Sequence, residues 1–88
     1  MSLTPGQCRA ARSLIGWSQD QLSIASKVAK ATIANFETGN RVPYPRTLVD
    51  IQAALETAGV EFIAENGGGP GVRLKGGKAA SVTVSPRD

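Results

Sequence analysis

Apolar residues recur at helical rather than strand spacing from the start of the chain to Gly59, and short polar or glycine-containing joints interrupt the rhythm. Cys8, Ala11 and Ile15, with Leu14 beside them, share one side of a helical wheel, while Arg9, Arg12 and Ser13 fall elsewhere. Ahead of them Thr4 offers a capping oxygen, Pro5 suits the first helical position and Gln7 completes a capping box. Gly16 ends that helix. A second, shorter helix begins at the cap Ser18, with Gln21 three positions on, and turns Leu22 and Ala25 inward. Val28 is an isolated apolar residue that plugs into the core from the following turn. The third helix covers about 30–38, buries Ile33 and Phe36, and stops where Gly39 fits left-handed geometry. In the loop "RVPYP", proline biases Tyr44 to extended backbone. Pro45 then opens a fourth helix with the stripe Leu48, Ile51, Ala54, Leu55 and Ala58, ended by Gly59.

Beyond Gly59 the period changes. "VEFIA" and "VRLK" have strand composition and flank the glycine-rich "ENGGGPG", which predicts a β-hairpin with a long loop. Val60 and Phe62 share a face that Val72 and Leu74 can meet across the pair, while Arg73 and Lys75 point away. "SVTVS" is either a third strand or a tail ordered on contact, and Pro86 to Asp88 are expected to be mobile. The predicted fold is mainly α: four to five short helices over residues 1–59, and a C-terminal β-hairpin extension with a tail over 60–88. A lone hairpin is marginal and its edges offer unpaired backbone groups. The extension is therefore expected to contribute to a homodimer contact; the alternative is that it folds back on the fourth helix and covers Leu55 and Ala58.

Composition narrows the function. At 88 residues the chain is one domain at most, and its 41% apolar content is that of a globular protein. There is no histidine and one cysteine, so the common zinc sites and the Ser-His or Cys-His nucleophilic pairs cannot be built. No paired carboxylates stand out either, and an enzyme or a cofactor is not expected. Cys8 reads as a small buried apolar residue, and Trp17 as packing between the first two helices. "NGGGPG" lacks the Gly-Lys-Ser/Thr ending of a phosphate-binding loop. A single cysteine, no visible leader and no apolar run near 20 residues predict a soluble cytoplasmic protein. The net charge of +3 and pI near 9.5 suit contact with a polyanion.

Two short helices joined by a three-to-four-residue turn form the helix-turn-helix unit, whose second helix lies in the DNA major groove. Such a unit needs a first helix with its N-terminus facing a phosphate, which Ser18 and Gln19 supply. It also needs a slender polar outer face on the second helix, which Lys30, Ala31, Thr32 and Asn35 supply over the inward Ile33 and Phe36. "WSQDQLSIASKVAKATIANFETGNR" resembles the helix-turn-helix of the XRE family, the Cro- and phage-repressor-like DNA-binding proteins. The "SQ-x-x-L" entry, the Thr-Ile pair and "FE-x-G" fall in the family order, and the resemblance covers about Leu3 to Gly59. The tract from Gly59 through "VRLK" resembles, more loosely, the extension of small bacterial members.

The resemblance implies a lambda-repressor-like domain and assigns roles. Gln19 matches a phosphate contact, Lys30, Ala31 and Asn35 match base-reading positions, and Thr38 matches a position that meets phosphate. Arg12 and Glu37 match a structural bridge between the first and third helices, and Arg41 and Arg46 flank the loop that approaches the phosphodiester chain. Two positions depart from the pattern: Lys27 stands where the family often has Gly, and Ala29 where it has a capping Ser or Thr. Lys27 is either a phosphate contact or a tolerated surface residue. By chemistry, Asn35 suits adenine, Lys30 guanine O6 and N7, and Ala31 a thymine methyl. The expected function is a sequence-specific transcriptional regulator, a repressor binding double-stranded DNA as a homodimer on a palindromic operator. The alternative is a protein-interaction module, an antiactivator or antitoxin, that keeps the fold with little DNA binding.

Overall fold

The structure, a computed structural model, describes residues 2–65, 67–75 and 82–83. It has four helices, α1 (Pro5–Ile15), α2 (Gln19–Ser26), α3 (Lys30–Glu37) and α4 (Pro45–Thr57), followed by strands β1 (Val60–Ile63), β2 (Gly71–Leu74) and β3 (Val82–Thr83). The helix boundaries follow local chemistry. Thr4 and Gln7 form a reciprocal capping box on α1, with the Gln7 N–H donating to Thr4 Oγ1 at 3.1 Å and the Thr4 N–H to Gln7 Oε1 at 3.0 Å. Ser18 and Gln21 repeat the device on α2 at 3.1 and 2.8 Å. Gly16, with φ of 68°, closes α1 in left-handed geometry.

Side chains from every helix and from two strands meet in one core: Leu3, Cys8, Ala11, Leu22, Val28, Ile33, Phe36, Ile51, Leu55, Val60 and Val72. Val28 reaches it from the turn between α2 and α3, as its isolation in the pattern predicts. Ala25 and Ala58 do not reach it; both are exposed, against expectation. Their small side chains have little apolar area to gain by burial, so Leu22 and Leu55 decide how α2 and α4 face the core.

The strands form an antiparallel sheet in the order β1-β2-β3. Val60 faces Leu74 and Phe62 faces Val72, placing the apolar pairs on one side, while Glu61 and Arg73 pair on the other at 2.9 Å. β3 pairs with β2 through Gly71–Thr83 and Val72–Val82, so part of "SVTVS" is a third strand. The expected mobility of Pro86 to Asp88 concerns residues outside those described. The sheet packs on α1 and α4, so of the two residues it was expected to cover, Leu55 is buried and Ala58 is not. Val60 and Val72 are fully buried, each contributing about 1.5–3 kcal/mol of gross apolar burial. Gln7 adds a polar clasp: its buried amide donates to the backbone oxygens of Ile63 at 3.3 Å and Gly71 at 3.1 Å. The extension thus shares the core of the helical part.

Candidate nucleic-acid interface

The segment from Ser18 to Arg46 is positioned by a turn that breaks a backbone rule. Lys27 closes α2 with φ of 61° and ψ of 29°, the only non-glycine residue with positive φ among those described. That conformation costs an L-residue roughly 1–2 kcal/mol. Two serines brace it. Ser23 Oγ donates to the Val28 oxygen at 2.6 Å, and Ser26 Oγ accepts from the Val28 N–H at 3.3 Å while donating to the Leu22 oxygen at 2.7 Å. Neither serine's role is visible in a periodicity. α3 then follows Ala29, whose methyl group cannot cap the first turn.

On α3, Lys30, Ala31 and Asn35 are exposed on the side away from buried Ile33, Phe36 and Glu37. Thr32 is half-buried and opens onto a shallow hollow of about 410 Å³, which it lines with Arg41, Val42, Pro43, Tyr44 and Thr47. Lys27, Thr38, Arg41 and Arg46 are exposed. Thr38 caps the end of α3, and its hydroxyl donates to the Ala34 and Asn35 oxygens, both at 3.1 Å. Gly39 follows with φ of 79°. Among the described residues Lys27 and Arg41 have no carboxylate partner, whereas Lys30 pairs with Asp20 and Arg46 with Asp50, each at 3.2 Å.

At the start of α2, the Ser18 hydroxyl is taken up by the capping box and the Gln19 side chain is turned inward. Gln19 Nε2 donates to Glu37 Oε1 at 2.9 Å. Of the groups expected to face phosphate at this end, the two side chains are therefore engaged within the protein.

Glu37 is the centre of the arrangement. Its side chain is only 3% exposed and receives a bidentate clasp from Arg12, with Nε to Oε2 and Nη2 to Oε1 both at 2.7 Å. The Cys8 thiol donates to Oε2 at 3.0 Å, and Arg9 donates to the Glu37 backbone oxygen. The expected Arg12–Glu37 bridge is present, but it is an enclosed four-residue cluster rather than an exposed pair. Burial by itself raises the Glu37 carboxyl; the hydrogen bonds from Arg12, Cys8 and Gln19, with the Arg12 charge, outweigh it and leave the group below its usual 4.5. Burial first, then the hydrogen bond to Glu37 and its negative charge, push the Cys8 thiol far above its usual range. Cys8 is therefore a neutral thiol serving as a donor, more than the apolar filler expected from its place in the pattern.

Helical periodicity assigns no role to Asp20, or to Val42 and Tyr44, which stand exposed beside Arg41. An aromatic residue set between two prolines next to a cation was the available signal for Tyr44. For Asp20 the signal was its place in the first turn of a helix that faces the third.

No family model matches the chain. Comparison with curated proteins likewise gives no match. No helix is long and apolar enough to cross a membrane among the described residues.

Proposed function

We propose that this chain is a sequence-specific DNA-binding transcriptional regulator of the lambda-repressor-like helix-turn-helix kind, a repressor that occupies a palindromic operator as a homodimer. The observation that carries the reading is the two-sided character of α3. Lys30, Ala31 and Asn35 are exposed on a helix whose other side is fixed by Ile33, Phe36 and the enclosed Glu37. The outer side chains are short or flexible, and Lys30 and Asn35 bear donors that base edges accept. Lys27 and Arg41 add cations at the margins of that face, where a phosphate backbone would run. One subunit has few base readers, and each good bidentate contact discriminates by about 1–3 kcal/mol. A two-fold dimer doubles them and spaces the half-sites about one helical turn apart.

The test is titration of the DNA upstream of its own gene and of a random duplex, at several salt concentrations. A regulator binds a short palindrome with affinity that falls steeply with salt. Asn35→Ala relaxes base preference at one position, while Arg41→Ala weakens all duplexes and flattens the salt slope by about 1. Absence of binding to both duplexes at low salt overturns the reading. A second reading, a protein-interaction module, is favoured by the exposed Ile24, Val42, Tyr44 and Val49, large apolar side chains that DNA would not need. It predicts that outcome.

A further inference from the structure

Asp20 sets a negative charge beside the outer face of α3, on a surface expected to meet phosphates. It lies in the first turn of α2, 67% exposed, with Oδ1 3.2 Å from Nζ of Lys30, which is 56% exposed at the first position of α3. The pair therefore crosses from one helix to the next. A lysine is a point charge on a four-carbon stem and reaches phosphate or guanine equally well. Phosphate contacts supply affinity without sequence information, and base contacts supply the discrimination. What Lys30 touches thus decides whether it adds grip or selectivity.

We infer that Asp20 is a specificity-determining residue, which holds Lys30 off the phosphates and lowers the grip on non-cognate DNA. This rests on the DNA-binding reading above. The carboxylate occupies the ammonium, so a phosphate gains Lys30 only by displacing an ion pair. A guanine edge offers neutral acceptors at O6 and N7, which an ammonium with three donors can reach while it keeps its bond to Asp20. Gln19, the neighbouring polar side chain, is tied inward to Glu37 and does not compete for the same backbone.

A carboxylate in the first helical turn also favours the helix dipole, so Asp20 has a structural alternative that the experiment must separate. Full-length protein is titrated with the upstream palindrome and with a random duplex of equal length across a salt series, for wild type, Asp20→Asn, Lys30→Met and the double variant. Glu61→Gln, which removes the same charge from the sheet, serves as control. Circular dichroism verifies that each variant is folded.

Asp20→Asn should tighten random-duplex binding about two- to fivefold, the range an exposed ion pair ordinarily controls. Its log affinity against log salt should steepen by about 0.9, one added phosphate contact. The ratio of palindrome to random affinity should fall, and in the background of Lys30→Met these changes should vanish. An unchanged slope overturns the inference. So does an equal gain on both duplexes, a gain that survives loss of Lys30, or the same gain in Glu61→Gln. Failure of wild type to bind either duplex at low salt instead overturns the DNA-binding reading itself, and this inference with it.

Discussion

Replacing Glu37 by glutamine tests the structural heart of the helical core with minimal change of shape. The substitution removes the charge and leaves Arg12 as an uncompensated cation whose side chain is only 19% exposed. Breaking a buried pair from one side costs about 3–5 kcal/mol, mostly because the remaining charge is stranded. Arg12 retains a little contact with water and a hydrogen bond to the Trp17 oxygen at 3.0 Å, so the low end, about 3 kcal/mol, applies. A domain of this size has a total stability of roughly 5 kcal/mol. With a urea m-value of about 1 kcal/mol/M, the midpoint should fall by about 3 M, read from the fluorescence of the single Trp17 or from far-ultraviolet circular dichroism. A loss below about 1 kcal/mol, the value for exposed pairs, would refute the enclosed-cluster account.

Acid dependence supplies a second, independent readout of the same cluster. The Glu37 carboxyl lies below its usual 4.5 in the folded chain, so the unfolded state binds the proton more readily. The stabilisation is then fully present above about pH 4.5 and is lost as pH falls through the folded value. Glu37→Gln has no such proton to bind. The gap between wild type and variant should therefore be widest near neutrality and narrow on acidification. A gap that widens toward acid contradicts the sign of the shift.

Three further outcomes follow from single contacts. Lys27→Gly relieves the left-handed residue that ends α2 and should raise stability by about 0.5–1 kcal/mol after the added flexibility of glycine is allowed for, measured by urea denaturation. Gln7→Ala removes the amide that donates to the Ile63 and Gly71 oxygens and breaks the α1 capping box, and should cost about 2–3 kcal/mol in the same assay. Cys8, buried and held as a neutral thiol, should react with a disulfide reagent at pH 8 only as fast as the protein unfolds. Reaction at the rate of a free thiol would contradict its enclosure.

The parts of this fold that are legible in the sequence are those encoded within a few residues. Thr4 with Gln7, Ser18 with Gln21, and the glycines at 16 and 39 mark helix ends because a cap is a contact between near neighbours. The pairing of Val60 with Leu74 follows from a period of two and one loop. Exposure of Lys30, Ala31 and Asn35 follows from the helical wheel once Ile33 and Phe36 are placed inside. The rest depends on distant partners. Gln7 reads as a capping residue, yet its amide has a second pair of bonds more than fifty residues away. Cys8, Gln19 and Arg12 converge on Glu37 from two helices, and only the packing angle of those helices reveals that they share one carboxylate. Ala25 and Ala58 lie on the surface although the periodicity points them inward, because a methyl side chain sits as readily on a surface as in a core.

The distribution of local costs and gains along α3 explains how a turn with two unfavourable residues is tolerated. Just ahead of its first turn Lys27 stands in left-handed backbone and Ala29 provides no cap, a combined cost of roughly 2–3 kcal/mol. The Ser23 and Ser26 hydroxyls offset part of this at Val28, since each net hydrogen bond contributes about 0.5–1.5 kcal/mol. At the last turn the balance reverses: Glu37 fastens α3 to α1 through Arg12 and Cys8 and to α2 through Gln19, and Arg9 satisfies its backbone oxygen. The helix is thus anchored at the end farther from Lys30, and its orientation is set by a cluster that contributes nothing to the outer face. Substitutions on that face are thereby separated from the contacts that hold the fold, which is the arrangement a helix needs if its outer residues are to vary with the surface they meet.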